Sequence, residues 1–348
     1  MNAESVPQDD PAAVESCRQA CLRINGEIGK AIVGQEKVIE QVLVAMLAGG
    51  HALLEGVPGL GKTLLGRSLA EAGGLSFHRI QLTPDLLPSD LTGAEIIQED
   101  VETGRRRLQF ASGPVFANVI LADEFDRTPP KTRAAMLEAM YQRQVSAGGT
   151  PHRLPEPFFV LAAQNRLEQE DAPGLSQAQL DRFLLYIRLD YPSDAEEWQI
   201  ARRGSGGRRE RIEAVASGDQ MRAFQELVQR APVSDPVLGY AWALVRASRP
   251  GKAEAAEFVD RWVQWGAGPR GLLALVMAAK ARAIVHGRLQ AAIADVQAVA
   301  KPVLRHRIAG NHAAEANAVS SDALVDMLME AVPPDGTYQK PSGVDENG

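Results

Sequence analysis

The sequence predicts an α/β protein in which a core built on a parallel β-sheet is followed by a domain of helices. In the first 191 residues, apolar segments of strand length alternate with segments of helical periodicity. This alternation is typical of parallel strands joined by right-handed helical crossovers. After residue 192 every periodic segment has helical spacing. A glycine-rich stretch between the first predicted strand and the next helix has the form of a phosphate-binding loop.

Two helices are predicted ahead of the sheet. The first covers residues 14–32, with an interruption expected near Asn25 and Gly26, and the second ends at Gly49 and Gly50. Their apolar positions repeat at helical spacing and are Val14, Cys17, Cys21, Ile24 and Ile28 in the first, and Val38, Ile39, Val42, Leu43 and Met46 in the second. Two cysteines cannot complete a four-ligand zinc site, so we expect both to be small buried residues in a reducing compartment.

The glycine-rich stretch at residues 56–63, GVPGLGKT, fits the phosphate-loop pattern G-x-x-x-x-G-K-[ST]. Residues 51–55 form a predicted buried strand before it, and residues 64–71 begin a helix after it. The glycines let the backbone curl its N–H groups around phosphate oxygens, and the helix N-terminus adds partial positive charge. Lys62 is expected to reach the β- and γ-phosphates, and Thr63 to bind Mg²⁺. The expected nucleotide contacts in this stretch are Gly56, Pro58, Gly59, Leu60, Gly61, Lys62, Thr63 and Leu64.

The rest of the sheet is predicted from short apolar segments. Strands are expected at 76–82, 119–122, 158–163 and 184–189, helices at 130–144 and 177–181, and hairpins at 94–111 and 145–157. The runs VILA and FFVLAA are apolar throughout, as in strands buried on both faces. Arg105, Arg106 and Arg107 mark the tip of the first hairpin as either a solvated turn or a contact surface for an acidic partner.

The second domain is predicted to extend over residues 192–332. Its helical segments are 193–203, 220–230, 235–248, 254–264, 269–286, 293–305 and 320–331, with no strand candidate among them. A glycine-rich loop at 204–207, flanked by arginines, is expected to be solvated and flexible. The core then covers residues 13–191, and the polar ends at 1–12 and 333–348 are expected to be disordered.

The net charge and the lengths of the apolar runs limit the partners and the location that the protein can have. The net charge of −7 gives the molecule no general attraction to nucleic acid or to an anionic membrane. No apolar run approaches the roughly 20 residues of a membrane span, and the polar, acidic N-terminus is unlike a signal peptide. We therefore expect a cytoplasmic protein with no membrane span, for which nucleic acid is an unlikely partner.

Three polar residues at predicted strand ends suggest nucleotide hydrolysis. Asp123 follows the strand VILA, where a carboxylate can hold Mg²⁺ beside Thr63. Glu124 can orient the attacking water or accept its proton. Asn165 ends the next strand, where its amide can hold the water near the γ-phosphate. Each could alone be a surface or turn residue, but together they follow a phosphate loop on neighbouring strands.

Two arginines are candidates for stabilising the transferred phosphoryl group. Arg182 lies in the segment QLDRF, and Arg270 follows GAGP at the start of a helix in the second domain. Either could be an ordinary surface arginine. Phosphoryl transfer uses arginine to neutralise the charge that spreads over the transferred group, so we retain both as catalytic candidates.

Taken together, these residues make the chain resemble an AAA+ ATPase of the MoxR family. The resemblance extends from about Val33 to Arg307. Its motifs are VGQ at 33–35, LEGVPGLGKT at 54–63, TPDLLPSD at 83–90, LADE at 121–124, PPKT at 129–132, QLDRF at 179–183 and VLRHR at 303–307. The stretch at 83–90, with Leu91 and Thr92, is more specific to the family than the phosphate loop.

The resemblance implies an AAA+ P-loop core with helix-2 and pre-sensor hairpin insertions, followed by an all-α lid domain. Asp123 and Glu124 would be the Walker B pair and Asn165 would be sensor 1. Arg182 would be an arginine finger that acts across a subunit boundary. Arg270 would be sensor 2, which we expect to supply positive charge from the lid to the site of its own subunit.

The resemblance also implies ligands and partners. Ile32 and Val33 would contact the adenine of ATP, and Mg²⁺ would accompany the nucleotide. Such proteins form hexameric rings and act as chaperones that remodel or mature client protein complexes, often with von Willebrand factor A domain proteins.

The sequence departs from the family at three places. The family usually has Asn at the position of Asp126 and Pro at the position of Arg166. The loop at 171–177 also lacks the family's usual Tyr and Glu. These changes leave the phosphate contacts intact and affect the surroundings of sensor 1 and the subunit contact.

Two other classes of function compete with the remodelling ATPase. A nucleic-acid-stimulated AAA+ motor would need a basic surface on the hairpins, which the net charge of −7 disfavours. A nucleotide-gated assembly factor that hydrolyses weakly would not need Glu124, Asn165 and Arg182, all of which are present.

Overall fold

The computed structural model describes residues 10–99, 106–165, 174–205, 210–336 and 338. Several positions singled out above lie outside the described residues. They are residues 1–9 and 339–348, Arg105, Arg166, residues 171–173 and residues 206–209.

The core domain alternates strands with helices, as predicted. Within the described residues its helices are α1 (Asp10–Ala31), α2 (Glu36–Leu47), α3 (Lys62–Ala72), α4 (Pro88–Thr92), α5 (Pro130–Gln142) and α6 (Gln177–Leu180). Its strands are β1 (Ala52–Glu55), β2 (Phe77–Gln81), β3 (Gly93–Glu99), β4 (Arg106–Ser112), β5 (Val119–Asp123), β6 (Gln144–Ala147), β7 (Thr150–Arg153), β8 (Phe159–Gln164) and β9 (Leu185–Arg188). Helix α4 was not predicted, because five residues are too few to show a helical period.

Five strands form one parallel sheet in the order β2-β5-β8-β1-β9. Strand β8 is the central strand, and β1 lies between β8 and the edge strand β9, so that Ala52 pairs with Leu161 of β8 on one side and with Leu185 of β9 on the other. All five strands run in the same direction. Their last residues therefore lie along one edge, called here the carboxyl edge, and their first residues lie along the opposite amino edge. Ligands of open parallel sheets bind outside the carboxyl edge.

The two faces of the sheet are covered by different helices. Leu54, Leu121 and Leu161 belong to a core shared with α1, α2 and α3. Leu53 and Ile120 belong to a second core shared with α5. Alternate residues of one strand therefore enter different cores, which explains why these strands are continuously apolar in the sequence.

The two predicted hairpins are β3–β4 and β6–β7. They contact each other through Phe110, whose ring stacks on His152 with 3.8 Å between the ring centroids. Ile97 and Leu108 pair across the first hairpin, and both side chains are exposed. The hairpins thus support each other and present apolar side chains to the outside.

The second domain is mainly helical. Among its described residues the helices are α7 (Asp194–Ser205), α8 (Gly218–Arg230), α9 (Asp235–Ala247), α10 (Val259–Trp262), α11 (Pro269–Val285), α12 (Ile293–Leu304), α13 (His312–Ala316) and α14 (Ser321–Ala331). Helix α11 packs on α8, α9 and α12, and also on α1 and α2 of the core domain. One hydrophobic core therefore extends from the sheet into this domain. None of the helices in the described residues is long and apolar enough to cross a membrane.

Helix α1 corrects two expectations. It begins at Asp10, within the segment predicted to be disordered, and it continues without interruption through Asn25 and Gly26. The buried Asp10 forms an ion pair of 3.0 Å with Arg230 of α8, which anchors the first turn. Ile24, before Gly26, is fully buried, as is Ile28 after it. Tertiary packing therefore overrides the low helix propensity of Gly26.

The segment 254–264, predicted as one helix, is a second correction. Only α10 is helical there, and a short strand β10 (Val263–Trp265) follows and pairs antiparallel with β11 (Ala309–Gly310). The chain then passes so close to Ser248 that a Cβ on Gly266 would lie 2.1 Å from the Ser248 carbonyl oxygen. These contacts join segments distant in the sequence, so local periodicity could not reveal them.

Candidate nucleotide-binding site

The predicted phosphate loop connects β1 to α3 at the carboxyl edge. Gly59 and Gly61 have φ values of 89° and 79°, in the left-handed region that favours glycine. A Cβ on Gly56 would lie 3.0 Å from the Leu189 side chain, so the loop packs tightly against the end of β9. Gly61 caps α3, whose first N–H groups lack partners within the helix. This backbone fits a phosphate group.

Lys62 occupies the centre of the site. Its ammonium group donates hydrogen bonds to the carbonyl oxygens of Gly56, at 2.7 Å, and of Gln164, at 3.2 Å. The first carbonyl belongs to the loop and the second to the last residue of β8. Lys62 therefore lies between the loop and the strand end that carries Asn165, where phosphate oxygens could replace the two carbonyls.

Asp123 and Glu124 lie at the end of β5 and are both partly exposed. Asp123 accepts hydrogen bonds from Arg79 at 2.7 Å and 3.2 Å. Glu124 accepts one from the Gln81 amide at 2.6 Å, and its other oxygen lies 3.7 Å from Arg127. Glu124 also has a φ of 56°, an uncommon value for a residue other than glycine. Local backbone strain of this kind is concentrated at functional sites.

Arg79 and Gln81 are site residues that we did not predict. They occupy alternate positions of β2, and Arg79 also donates a 3.0 Å hydrogen bond to the Gln81 side chain. Gln81 is the register partner of Asp123 in the sheet. A continuous set of contacts therefore joins the two carboxylates through β2. The sequence carried one sign of their role: Arg79 and Gln81 are polar residues two positions apart in β2, next to the strand β5 that leads into Asp123 and Glu124.

Asn165 is buried and directly follows Gln164, which pairs with Glu55 in the sheet. The sheet order places its strand between β1 and β5. Asn165 thus lies at the same edge as the phosphate loop and the two carboxylates. Asp126, one of the departures, is buried in the turn after Glu124, and its carbonyl accepts a hydrogen bond from the buried Arg133.

The predicted adenine contacts, Ile32 and Val33, are partly buried in the connection between α1 and α2. In the same connection, Gln35 donates a 3.3 Å hydrogen bond to the carbonyl of Asp190, which follows β9. Gln35 and Asp190 line a cleft of about 320 Å³. Asp190 also lines a smaller cleft with Gly56. The connection therefore lies on the side of the phosphate loop where a base could be held.

Thr63 and Asp123 offer oxygen ligands of the kind that Mg²⁺ prefers. Thr63 lies in the first turn of α3 and Asp123 ends β5. No group of three or more His, Cys, Asp or Glu side chains in the described part of the chain could hold a metal alone. A nucleotide-bound Mg²⁺ needs no such group, because it is held by one or two protein oxygens together with phosphate oxygens and water.

Arg182 and Arg270 lie at the amino edge, away from the phosphate loop. Arg182 follows α6 just before β9 begins, and its guanidinium donates to the carbonyl of Leu137 at 3.2 Å. Arg270 begins α11 and lies 3.6 Å from the carboxylate of Asp181. The two arginines line one cleft of about 330 Å³ together with His51, which precedes β1.

Arg270 lies far from the phosphate loop of its own subunit. We expected this residue to serve the site of its own subunit, but the phosphate loop lies at the opposite end of β1. The lid packs along β9 and brings the start of α11 to the turn that carries Arg182. Tyr141 and Leu273, which line the same cleft, are 76% and 65% exposed. Arginine side chains and exposed apolar side chains therefore line the same cleft at the amino edge.

Comparisons with known proteins agree with this architecture. Residues 51–185 match the family described as "ATPase family associated with various cellular activities (AAA)", and residues 255–328 match the AAA lid domain. Chaperone MoxR1 of Mycobacterium tuberculosis is 39% identical over 306 residues, which cover 88% of this chain and 80% of that protein. Protein MoxR of Methylorubrum extorquens is 35% identical, over 85% of this chain and 90% of that protein.

A solved structure supports the same assignment. A crystal structure of a Cytophaga hutchinsonii protein superposes with a TM-score of 0.83 at 36% sequence identity. The superposition covers 92% of this chain and 97% of the other. Sequence, core and lid therefore agree along most of the chain, and the protein belongs to the MoxR family of AAA+ ATPases.

Proposed function

We propose that this chain binds ATP with Mg²⁺ and hydrolyses it, with Glu124 accepting a proton from the attacking water. The observation that carries the proposal is the position of Lys62 between Gly56 of the loop and Gln164 at the end of β8. Asp123 and Glu124 lie at the end of the adjacent strand. A phosphate cradle and two carboxylates thus share one edge of the sheet, as hydrolysis of a nucleotide requires.

Different residues of the site would bind different parts of the nucleotide. Lys62 would exchange its two carbonyl partners for oxygens of the β- and γ-phosphates. Thr63 and Asp123 would hold Mg²⁺, which when bound withdraws negative charge from the phosphates. Ile32 and Val33 would hold the adenine ring. The charge that Asp123 now shares with Arg79 would be available for the metal once Arg79 moves aside.

The chemical step would depend on residues that hold a water molecule. Glu124 would take its proton, and Asn165 would fix its position near the γ-phosphate. The hydrogen bond from Gln81 restrains one oxygen of Glu124 and leaves the other beside Arg127. Gln81 is therefore a positioning residue for Glu124.

Arg182 and Arg270 would act on the nucleotide of a neighbouring subunit. Both lie at the edge opposite their own phosphate loop, so Arg182, fixed in the core domain, cannot neutralise charge there, and Arg270 could do so only after a large movement of the lid. A homo-oligomeric ring, of six subunits as the resemblance implies, would bring the amino edge of one subunit to the carboxyl edge of the next. An arginine supplied in this way contributes about 10³–10⁵-fold to turnover in other nucleotide hydrolases.

The cycle would drive the remodelling or maturation of a client protein complex. Two observations support this use: the Mycobacterium tuberculosis relative is named a chaperone, and Ile97 and Leu108 of the first hairpin are exposed. A von Willebrand factor A domain protein is the partner that the resemblance implies. Exposed apolar residues on a paired hairpin suit contact with protein better than contact with nucleic acid.

The test of hydrolysis is the Glu124→Gln variant. It should bind ATP with nearly unchanged affinity, measured by calorimetry, and its rate of phosphate release should fall by about 10²–10⁴-fold. Glu71→Gln is the matched control, since Glu71 is exposed on α3. Wild-type turnover by the Glu124→Gln protein would refute the assignment of Glu124. A folded wild-type protein that binds no ATP would refute the proposal as a whole.

A further inference from the structure

The segment Arg305-His306-Arg307, part of the motif VLRHR, reaches two clefts described above: Arg305 lines the cleft of Gln35 and Asp190, and Arg307 lines the amino-edge cleft. It follows α12 and lies along β9, the edge strand of the sheet. His306 and Arg307 are buried, and the Arg305 side chain is 8% exposed. Arg305 donates to the carbonyl of Tyr186 at 3.1 Å, and Arg307 donates to the carbonyl of Phe183 at 2.7 Å. The segment therefore spans β9 from its middle to the turn that precedes it.

One end of the segment connects to the phosphate loop. The Arg305 guanidinium forms an ion pair of 2.8 Å with Asp322 at the start of α14. The other oxygen of Asp322 lies 3.1 Å from Arg188, the last residue of β9. Arg188 donates a 2.9 Å hydrogen bond to Glu55, and Glu55 directly precedes Gly56. An alternating series of charges thus joins Arg305 to the first glycine of the loop.

Glu55 is also held from inside the core. The hydroxyl of Tyr186 donates to Glu55 at 2.5 Å and accepts from the amide of Gln164 at 2.7 Å. Burial, reinforced by the negative charge of Glu55, raises the pKa of Tyr186 above its usual range, so the hydroxyl stays protonated. The carbonyl of Gln164 accepts from Lys62. The end of β1 that carries the loop is thus fixed on both sides.

The other end of the segment connects to the amino-edge arginines. The Arg307 guanidinium donates a 2.8 Å hydrogen bond to Asp181, and the second oxygen of Asp181 lies 3.6 Å from Arg270. Asp181 immediately precedes Arg182 in the chain. The Asp181 carboxylate therefore ties Arg307 to Arg270, and the backbone of Asp181 leads directly into Arg182.

His306 separates the two ends without adding charge. Its Nε2 lies 3.1 Å from the carbonyl of Phe183. Burial, with the charge of Arg307 nearby, lowers the pKa of His306 well below its ordinary value, so the ring is neutral at physiological pH. Two buried arginines are costly to desolvate, and apolar residues could fill the same volume without that cost. Their value therefore lies in the geometry that they impose.

We propose that Arg305 and Arg307 are positioning residues. Within one subunit they couple that subunit's own nucleotide site to the arginines that complete the nucleotide site of the neighbouring subunit. Arg305, through Asp322 and Arg188, holds the strand that carries the subunit's own phosphate loop. Arg307, through Asp181, holds the arginines offered to the neighbour. Because only His306 separates them, a shift of the lid that moves one end moves the other. This inference rests on the proposed ATP hydrolysis and on the action of Arg182 across a subunit boundary.

Three isosteric variants test the two ends separately. Asp322→Asn weakens the first connection and Asp181→Asn the second. Asp326→Asn is the matched control, because Asp326 lies one turn after Asp322 on α14 and forms a solvent-accessible 2.8 Å pair with Lys301 of α12. Circular dichroism and thermal melting establish that each variant is folded. If Asp322→Asn is not folded, Arg305→Lys takes its place, and if Asp181→Asn is not folded, Arg307→Lys does. Both lysine variants keep the positive charge but lose the planar guanidinium group.

Affinity for the subunit's own nucleotide is measured by titration with a fluorescent ATP analogue. Asp322→Asn should weaken binding by about 2- to 30-fold, the range typical of coupled positions, whereas Asp326→Asn should bind as the wild type does. Because the coupling is reciprocal, Asp181→Asn should also weaken binding, although it lies at the opposite end of the segment.

The contribution of one subunit's arginines to ATP turnover at the neighbouring subunit is measured in mixed rings. Lys62→Ala subunits, which cannot bind ATP but keep their arginines, are mixed with Arg182→Ala subunits, which keep their phosphate loop. Introducing Asp181→Asn into the Lys62→Ala subunits should reduce the regained turnover by about 2- to 30-fold. Introducing Asp322→Asn there should also reduce it, because the coupling passes through Arg305. Introducing Asp326→Asn should not.

The outcomes separate this inference from the proposed function. If wild-type protein binds and hydrolyses ATP while Asp322→Asn and Asp181→Asn match Asp326→Asn in both assays, the coupling is refuted and the ATPase proposal stands. If Asp322→Asn weakens affinity but leaves the neighbour's turnover unchanged, the two ends act independently and the coupling is also refuted. If the mixture of Lys62→Ala and Arg182→Ala subunits regains no turnover although the subunits exchange, the action of Arg182 across the subunit boundary is refuted. The coupling, which rests on that action, is then refuted with it.

Discussion

The side-chain amide of Gln81 donates a 2.6 Å hydrogen bond to a carboxylate oxygen of Glu124. Gln81 ends β2, whereas Glu124 follows the neighbouring strand β5 in a left-handed backbone conformation. The other oxygen of Glu124 lies 3.7 Å from Arg127. Gln81 and Arg127 therefore hold the proposed catalytic carboxylate from two sides, and the balance between them decides where its oxygens lie.

The Gln81→Met variant tests this relationship, since it keeps the length of the side chain and removes the donor. Glu124 should turn toward Arg127, and turnover should fall by about tenfold, the lower end of the range for a hydrogen bond to a charged group. ATP affinity should not change, because Gln81 makes no phosphate contact in the proposed site. Gln109→Met, on the exposed hairpin strand β4, is the control. An equal loss of affinity and turnover would show that Gln81 binds nucleotide.

The common location of Arg182 and Arg270 makes a prediction about mixed rings. Arg182→Ala and Arg270→Ala should each bind ATP normally and hydrolyse it poorly, and each should regain turnover when mixed with Lys62→Ala subunits. A mixture of Arg182→Ala with Arg270→Ala should stay inactive, because no subunit then offers both arginines to its neighbour. Recovery in that last mixture, measured as phosphate release, would return Arg270 to the site of its own subunit.

Two buried histidines predict how stability depends on pH. Burial lowers the pKa of His51 to about 4 and lowers the pKa of His306 well below its ordinary value. The unfolded chain protonates both near pH 6.5, whereas the native protein stays neutral there. Below that pH the unfolded state therefore binds more protons, and the free energy of unfolding falls as pH decreases toward 4, by up to about 1.4 kcal/mol per pH unit for each histidine.

Urea unfolding of His306→Gln checks this prediction. Gln keeps a donor for the Phe183 carbonyl and removes the titration. Between pH 6 and 5 the slope of unfolding free energy against pH should be smaller than that of the wild type by up to about 1.4 kcal/mol per pH unit. Measurement at pH 7.5, where both imidazoles are neutral in either state, gives the packing effect of the substitution alone. An unchanged slope would mean that native His306 takes up a proton in this range.

A pair of glycines near Arg270 tests the close approach in the lid. A Cβ on Gly266 would lie 2.1 Å from the Ser248 carbonyl oxygen, whereas one on Gly268 would meet nothing within 4 Å. Gly266→Ala should destabilise the protein by about 1–3 kcal/mol, as overpacking usually does. Gly268→Ala should change the stability by less than about 1 kcal/mol. Equal unfolding free energies in denaturant titrations of the two variants would contradict the tight crossing at Gly266.

Local sequence was sufficient where a residue's place follows from the segment beside it. The run VILA is buried on both faces, so the next residues, Asp123 and Glu124, must emerge at the edge where the strand ends. The same argument placed Asn165 after β8 and Lys62 after the loop. The strand at 263–265 escaped this reasoning, because its pairing partner lies more than 40 residues further along the chain.

The sequence by itself determined the parallel sheet, the phosphate loop and the carboxylates at the carboxyl edge, because these features depend on short segments whose burial and geometry are local. Only the tertiary structure decided that Arg270 lies beside Arg182 and that Arg305 reaches the strand of the loop. The contact of Arg188 with Glu55 joins residues 133 positions apart, and that of Arg307 with Asp181 joins residues 126 apart. Such contacts depend on how the lid packs along β9, and that packing is set by apolar surfaces of many segments together, which no single motif encodes.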